Sequence, residues 1–529
     1  MKLLNVITAY ALLGCPDATA GKRSAHGNHF SITSFGGIAD GLTDNGPAFR
    51  RGFATLAAQR GGTLDIPTAA KPYLVTTADP VLVDGFKFIA RIPSNVHLTG
   101  KGTIKLGDGV NSTATPAGSH DFGIQMFGNL AGASDIEIDG ITLDMNGAHN
   151  LQPVISEVHP QYGLRFTAHG VYAGHTAVHD IVIENSAGNN MIVFQGAGGQ
   201  FASVIKCKLF TGGKGIAANV NNVDFSFVYT EWGHSRINHN LIHQDPVNTG
   251  PSGGIELHNA DSEAIGNIIT NCYPGIVLAS DPGPISNVSV TDNVMTGGFS
   301  GISLWGGLAP FRTVRISGNR ITLKHNIALA ANYGESYGIG QPYLGARSRN
   351  TWTSGTANGV VLESLVIVRN VIAMNTSVAS ANNISMGITL NGCRDVLIAH
   401  NTIRYMSSSG ISFYGSKYGT VGIRIARNCV IDSGNNTTMF GHSGISLDFA
   451  KFRPVTERED VIYSGQTIQI INNYIGRSAG GGTHYGITVQ GTANVTGLTQ
   501  EHNRFVNVSQ KGLAVGRQQA NSDITKKQQ

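Results

Sequence analysis

One asparagine recurs from Asn240 to Asn503, each time after an alternating run and two residues before an apolar side chain. It is seen in Arg236-Ile237-Asn238-His239-Asn240-Leu241-Ile242 and again in Ser289-Val290-Thr291-Asp292-Asn293-Val294-Met295. The same residue returns at Asn267, Asn319, Asn370, Asn401, Asn428, Asn473 and Asn503. Successive gaps are 27, 26, 26, 51, 31, 27, 45 and 30 residues. A repeat of that length marks a chain built by stacking one unit on the next. The long gaps are coils with insertions, or two coils.

A second pattern interleaves with the first: Gly, Ile, any residue, then an apolar residue. It begins at Gly254, Gly275, Gly301, Gly387, Gly410, Gly444 and Gly486, with weaker copies at Gly170, Gly215 and Gly512. Two short alternating strands per repeat exclude a helical solenoid. They predict an all-β, right-handed, single-stranded parallel β-helix of about twelve coils, the count being an estimate from repeat length. In such a rod the strands stack at about 4.8 Å and like side chains form ladders, so the asparagines are structural.

Residues 30–105 are expected to form an N-terminal cap and the first coils. Thr43 or Asp44 can cap a helix, Pro47 suits its first turn, and Ala48, Phe49, Phe53, Leu56 and Ala57 share one face before Gly61-Gly62 stops it. Strands then start at Thr63–Ile66 and Tyr73–Val75. Residues 106–515 carry the coils, residues 326–358 read as a long loop leaving the rod, and 516–529 as a polar tail. Residues 1–20 read as an export signal: Lys2, an apolar run from Leu3 to Gly14, and Ala18-Thr19-Ala20 before a cut at Gly21. Leu12-Leu13-Gly14-Cys15 also suits lipid attachment at Cys15. A secreted or periplasmic location, free or lipid-anchored, follows.

Composition narrows the partners. Of 529 residues 69 are glycine without a three-residue period, which excludes collagen, and 13% are charged, with a net charge of +4. No Lys/Arg cluster precedes Lys526-Lys527, so nucleic acid is not a partner, and no later stretch is long and apolar enough to span a bilayer. Cys207, Cys272, Cys393 and Cys429 fit no metal spacing. The histidines of the segment His159, His169, His175 and His179 fit none either, so neither metal nor cofactor is expected.

The N-terminal segment resembles a known family. Phe35-Gly36-Gly37-Ile38-Ala39-Asp40-Gly41-Leu42-Thr43-Asp44-Asn45, then Ala48-Phe49, then Gly61-Gly62-Thr63-Leu64-Asp65-Ile66-Pro67 and Tyr73-Leu74-Val75, stand in order. This is similar to the opening of the pectate-lyase-like superfamily, which includes rhamnogalacturonases, polygalacturonases and phage tailspike depolymerases. The resemblance implies a right-handed β-helix acting on polysaccharide. It transfers no catalytic residue, because the Asn-Thr-Asp, Asp-Asp, Gly-His-Gly and Arg-Ile-Lys motifs of polygalacturonases are lacking.

The pleat locates a working face instead. In Gly-Ile-x-Leu the two apolar residues point inward, and x and the residue after Leu point outward. Read coil by coil, the outward set includes Tyr172, Phe194, Asn219, Glu256, His258, Trp305, Asn391, Tyr414 and Asp448. Glu256 is the only carboxylate at the x position. His258 lies beside it, and the long connection from Asn240 to Gly254 brings Asp245 to the edge of a wall. Glu256 and Asp245 are thus the expected carboxyl pair for glycosidic hydrolysis, with His258 as an alternative base. Trp305, Tyr414, Tyr172 and Phe194 are expected to stack on sugar, joined in binding by Asn219, Arg236, Asn391 and Asp448. The expected function is polysaccharide hydrolysis. The alternatives are a lyase or epimerase on a uronate polymer, a non-catalytic carbohydrate-binding rod, or a tailspike. The expected partner is the polysaccharide itself, and the chain is a monomer or a homotrimer.

Overall fold

A computed structural model describes residues 27–515 except for connecting segments, the longest being 111–123, 151–161, 212–225, 325–334, 342–361 and 450–463, with shorter ones including 246–252 and 376–383. Residues 1–26, with the expected signal and Cys15, and 516–529 lie outside the described residues.

Three sheets run the length of the rod, with 15, 14 and 15 strands. Each coil gives one strand to each sheet, and pairing is parallel throughout except where Leu82–Val83 meets Phe86–Ile92. In chain order a coil visits sheet 1 (for example Arg236–Asn238), sheet 2 (Leu241–His243) and sheet 3 (Gly253–Leu257). The first coils carry no ladder asparagine, so a count made on that repeat falls short. Inside sheet 3, Ile255, Ile276, Ile302, Ile339, Ile388, Ile411, Ile445 and Ile487 stand in one register column, all fully buried. This aliphatic column supplies much of the burial that drives folding.

The asparagines form the expected ladder at the turn between sheets 1 and 2. Each Nδ2 donates to the Oδ1 of the next asparagine at 2.9–3.0 Å, unbroken from Asn240 to Asn503. Each Nδ2 also donates to a main-chain carbonyl of the coil before, as Asn293 does to Ala264 at 2.9 Å. Asn319 bonds Asn370 directly across 51 residues, and Asn428 bonds Asn473 across 45. Both long gaps are therefore single coils with insertions. The residue before each asparagine takes a left-handed conformation, as His239, Asp292 and His400 do at φ 59°, 56° and 59°. Cys207 begins the ladder, its N–H donating to Asn240 Oδ1 at 2.9 Å.

Helix α1 (Gly46–Ala58) closes the N-terminal end, burying Ala48, Phe49, Phe53 and Leu56. Its N-cap residue is Asn45, one later than expected, because the Asn45 amide turns away to bond Ile38, Thr43 and Leu74. Asp44 Oδ1 instead accepts the Gly46 N–H at 3.0 Å. The strands Gly62–Ile66 and Tyr73–Val75 follow as expected. Residues 326–358 do not all leave the rod: Glu335–Gly340 is a strand of sheet 3, paired between Ser300–Trp305 and Ile384–Asn391. Among the described residues no helix is long and apolar enough to cross a membrane.

Asn293→Ala removes one rung: the Asn267 N–H and Nδ2 lose their shared acceptor, and the Ala264 carbonyl and Asn319 Oδ1 each lose a donor. We expect denaturant unfolding to show a loss of about 1–3 kcal/mol. Turnover per folded molecule should stay unchanged; wild-type stability would refute the ladder's role.

Candidate functional site

The outer side of sheet 3 is a second register column. It runs Arg165, Val193, Tyr229, Glu256, Val277, Ser303, Gly340, Thr389, Ser412, Ser446 and Thr488. The pleat predicts the x positions of this column, Glu256 among them, to point outward. They face away from the core but are recessed: Glu256, Val277, Ser303, Thr389, Ser412, Ser446 and Thr488 are all buried. Residues two further along are more open, with Trp305, Asn391 and Asp448 half-buried. The small side chains of the column thus form a recessed row along the outer side of sheet 3.

Glu256 is the carboxylate of that column among the described residues, and it is 3% exposed. Its Oε2 accepts the Ser226 hydroxyl at 2.9 Å, and its Oε1 lies 2.9 Å from His258 Nε2. The expected neighbour His258 is therefore in contact, and it is 9% exposed. The Tyr229 ring packs on the His258 ring with centroids 4.7 Å apart. Tyr229 donates its hydroxyl to Glu231 Oε1 at 2.7 Å, and the Gly196 N–H donates to Glu231 Oε2 at 2.7 Å. A second carboxylate, on the preceding coil, thus shares the outer face with Glu256. Upstream, the Arg165 guanidinium sits 4.7 Å from the Phe86 ring and 4.9 Å from the Tyr162 ring, and donates to the Tyr162 hydroxyl at 2.8 Å.

Other expected site residues divide. Trp305 and Ala279 stand side by side on the groove face, and Asn391, Tyr414 and Asp448 share one column of it. Asp245 is half-buried just past Leu241–His243 in sheet 2, its N–H donated to Thr211 Oγ1 at 2.7 Å. The wall 246–252 and Asn219 lie outside the described residues. Three expectations fail. Phe194 points into the core, 0% exposed and stacked on Phe166 at 5.1 Å. Its run, Met191-Ile192-Val193-Phe194, has apolar residues in both phases, so the outward pair is Val193 and Gln195. Tyr172, 55% exposed, precedes the strand Ala173–His179 of sheet 1, because the sheet 3 strand of that coil is Leu164–Thr167. Arg236 is likewise on sheet 1, facing Glu263 at 3.9 Å.

Ser226, Tyr229 and Glu231 are not singled out by the sequence pattern. Their strand lacks the Gly-Ile signal, and the weak copy of that coil, at Gly215, lies outside the described residues. The alternation Val228-Tyr229-Thr230-Glu231, with Val228 inward, held the phase that would have placed them. Within the same stretch Trp232 is a core residue, its indole N–H donated to the Gln195 carbonyl at 3.1 Å.

A separate titratable cluster lies on the outer face of sheet 1. The bond from Glu137 holds His179 protonated up to about 9, and that bond in turn lowers the Glu137 carboxyl. Burial opposes ionisation of Asp139, but hydrogen bonds from His97 and Thr99 outweigh it and lower its pKa.

Comparison with solved structures gives the fold a context. A pentasaccharide complex of an E. coli bacteriophage HK620 tailspike double mutant aligns with a TM-score of 0.58 and 15% identity, covering 92% of this chain and 80% of that one. The tailspike protein of the same phage with pentasaccharide aligns at 0.56 and 13% identity, with the same coverage. No protein-family model matches the sequence, and no curated protein matches it. The likeness shows a parallel β-helix fold.

If Phe194 is core, Phe194→Ala should cost about 3–5 kcal/mol in denaturant unfolding. Wild-type stability in the variant would return the ring to the outer face.

Proposed function

We propose that this parallel β-helix cleaves glycosidic bonds of a polysaccharide lying along the sheet 3 groove, by hydrolysis, with Glu256 as an acid–base group. The observation that carries the reading is the setting of Glu256: a carboxyl buried in the groove floor, held by Ser226 and His258, with Glu231 on the neighbouring coil. A carboxylate buried on an outer strand position is costly unless paired and bonded, as it is here by His258 and Ser226.

Hydrolysis needs two carboxyl groups flanking the bond. Glu231 is one strand over and two residues along from the position opposite Tyr229. Strand geometry sets the two backbones about 8 Å apart. Glu231 is favoured over Asp245 because it stands on the face that Glu256 occupies, whereas Asp245 begins on sheet 2. Trp305, Asn391, Tyr414 and Asp448 extend the groove as sugar contacts. That the tailspike structures hold oligosaccharides agrees with a glycan ligand for a rod of this shape. Action on polysaccharide also agrees with the export segment expected at 1–20.

His258 against Tyr229 favours a second reading, elimination or epimerisation of a uronate polymer, in which the imidazole or phenol takes the proton alpha to a carboxylate. The remaining readings are a rod that only binds glycan and a tailspike depolymerase.

Glu256→Gln should lower turnover by about 10²–10⁴-fold with the melting temperature nearly unchanged, measured by release of reducing ends. Under hydrolysis Glu231→Gln falls comparably and Asp245→Asn little. A large loss in Asp245→Asn with an active Glu231→Gln would restore Asp245 as the partner. Under elimination His258→Ala is the severe change. Near-normal rates in Glu256→Gln and His258→Ala together would remove the site from this groove.

A further inference from the structure

Four metal-ligating side chains converge on the outer face of sheet 1, near the N-terminal end and away from the sheet 3 groove. They come from three successive coils: His97 from the strand Val96–Gly100, Glu137 and Asp139 from Ile136–Asp139, and His179 from Ala173–His179. The register places His97 opposite Glu137 and His179 opposite Asp139, so stacking alone brings together residues some forty positions apart.

The contacts are close. His97 Nε2 lies 3.0 Å from Asp139 Oδ2, His179 Nε2 3.1 Å from Glu137 Oε1, and His179 Nε2 3.9 Å from Asp139 Oδ2. Donor atoms of His97, Glu137 and Asp139 all lie within 4.8 Å of one another. Ligands of a tetrahedral ion with bonds of about 2.0–2.1 Å stand about 3.3 Å apart, a spacing the imidazole–carboxylate pairs already approach, while His179 must turn toward His97 to complete the set. The outer shell is also arranged for this. His179 Nδ1 lies 3.0 Å from Asp180 Oδ2, which directs Nε2 at the carboxylates, and the Thr99 hydroxyl donates to the other oxygen of Asp139. A carboxylate behind a ligating imidazole is a regular feature of metal sites. All four side chains keep 22–30% of their surface open, so solvent reaches them.

We propose that His97, Glu137, Asp139 and His179 bind one divalent first-row transition ion of the zinc class. Two imidazole nitrogens with two carboxylate oxygens suit zinc, cobalt or nickel, whereas calcium and magnesium take oxygen-only shells. The ion would clamp three coils at the end of the rod and take no part in the groove chemistry.

The test is titration of the chelator-treated full chain with zinc chloride by calorimetry, with calcium chloride as control. One zinc per chain and no calcium uptake at the same concentrations are expected, together with a zinc-dependent rise in melting temperature. Asp180→Asn, which leaves all four ligands in place, should weaken zinc by about 10–100-fold. His97→Ala and His179→Ala should abolish stoichiometric uptake. Cobalt added to the unaltered chain should give the intense visible bands of a four-coordinate ion, which keeps the proposal testable if a variant fails to fold. Zinc uptake that is absent, or unchanged in both histidine variants, overturns it and leaves the cluster as an ion-pair network between coils.

Discussion

The asparagine ladder is the interaction on which the rest of this structure depends. Each rung buries a primary amide at the turn between sheets 1 and 2 and satisfies it twice over, once on the next asparagine and once on the coil before. A buried amide is tolerable only when bonded, so a slip of one residue in any coil would leave it orphaned. The ladder therefore fixes the register of every coil from Asn240 onward. It also offsets the left-handed backbone that residues such as His239, Arg369 and His400 adopt just before each asparagine. Fixed register has a functional consequence: it decides which side chains line the floor of the sheet 3 groove.

Much of the fold was legible because a stacked rod repeats its own signals. Asparagine at the turn and Gly-Ile-x-apolar in sheet 3 both follow from one steric demand met in each coil. The first coils were harder, since Ile141, Ile181 and Cys207 begin the strands there without an asparagine. The strand Glu335–Gly340 was missed because its glycine-rich, tyrosine-bearing sequence reads as a loop until Tyr337 is seen bonding Ser303 across the coil.

The groove was legible only in part. Glu256 and His258 stood out because the pleat of a well-phased strand carries a carboxyl and an imidazole two residues apart. Phe194 was misplaced because apolar residues filled both phases of its run. Glu231 has no local motif, and its relation to Glu256 exists only through coil stacking. The same is true of His97, Glu137, Asp139 and His179, whose spacing along the chain matches no metal signature. In a solenoid, chemistry assembles across coils, and a reading along the chain finds the strands before it finds the sites.

These features give a rod whose ladder holds register, whose sheet 3 presents a recessed polar floor, and whose buried carboxyl lies midway along that floor. The most direct test is the mass of the products after incubating the chain with a panel of neutral and acidic polysaccharides. Fragments heavier than the anhydro-sugar by one water, formed by the unaltered chain and not by its Glu256→Gln variant, are the result this account predicts. Unsaturated fragments without added water, or intact polymer throughout, would contradict it.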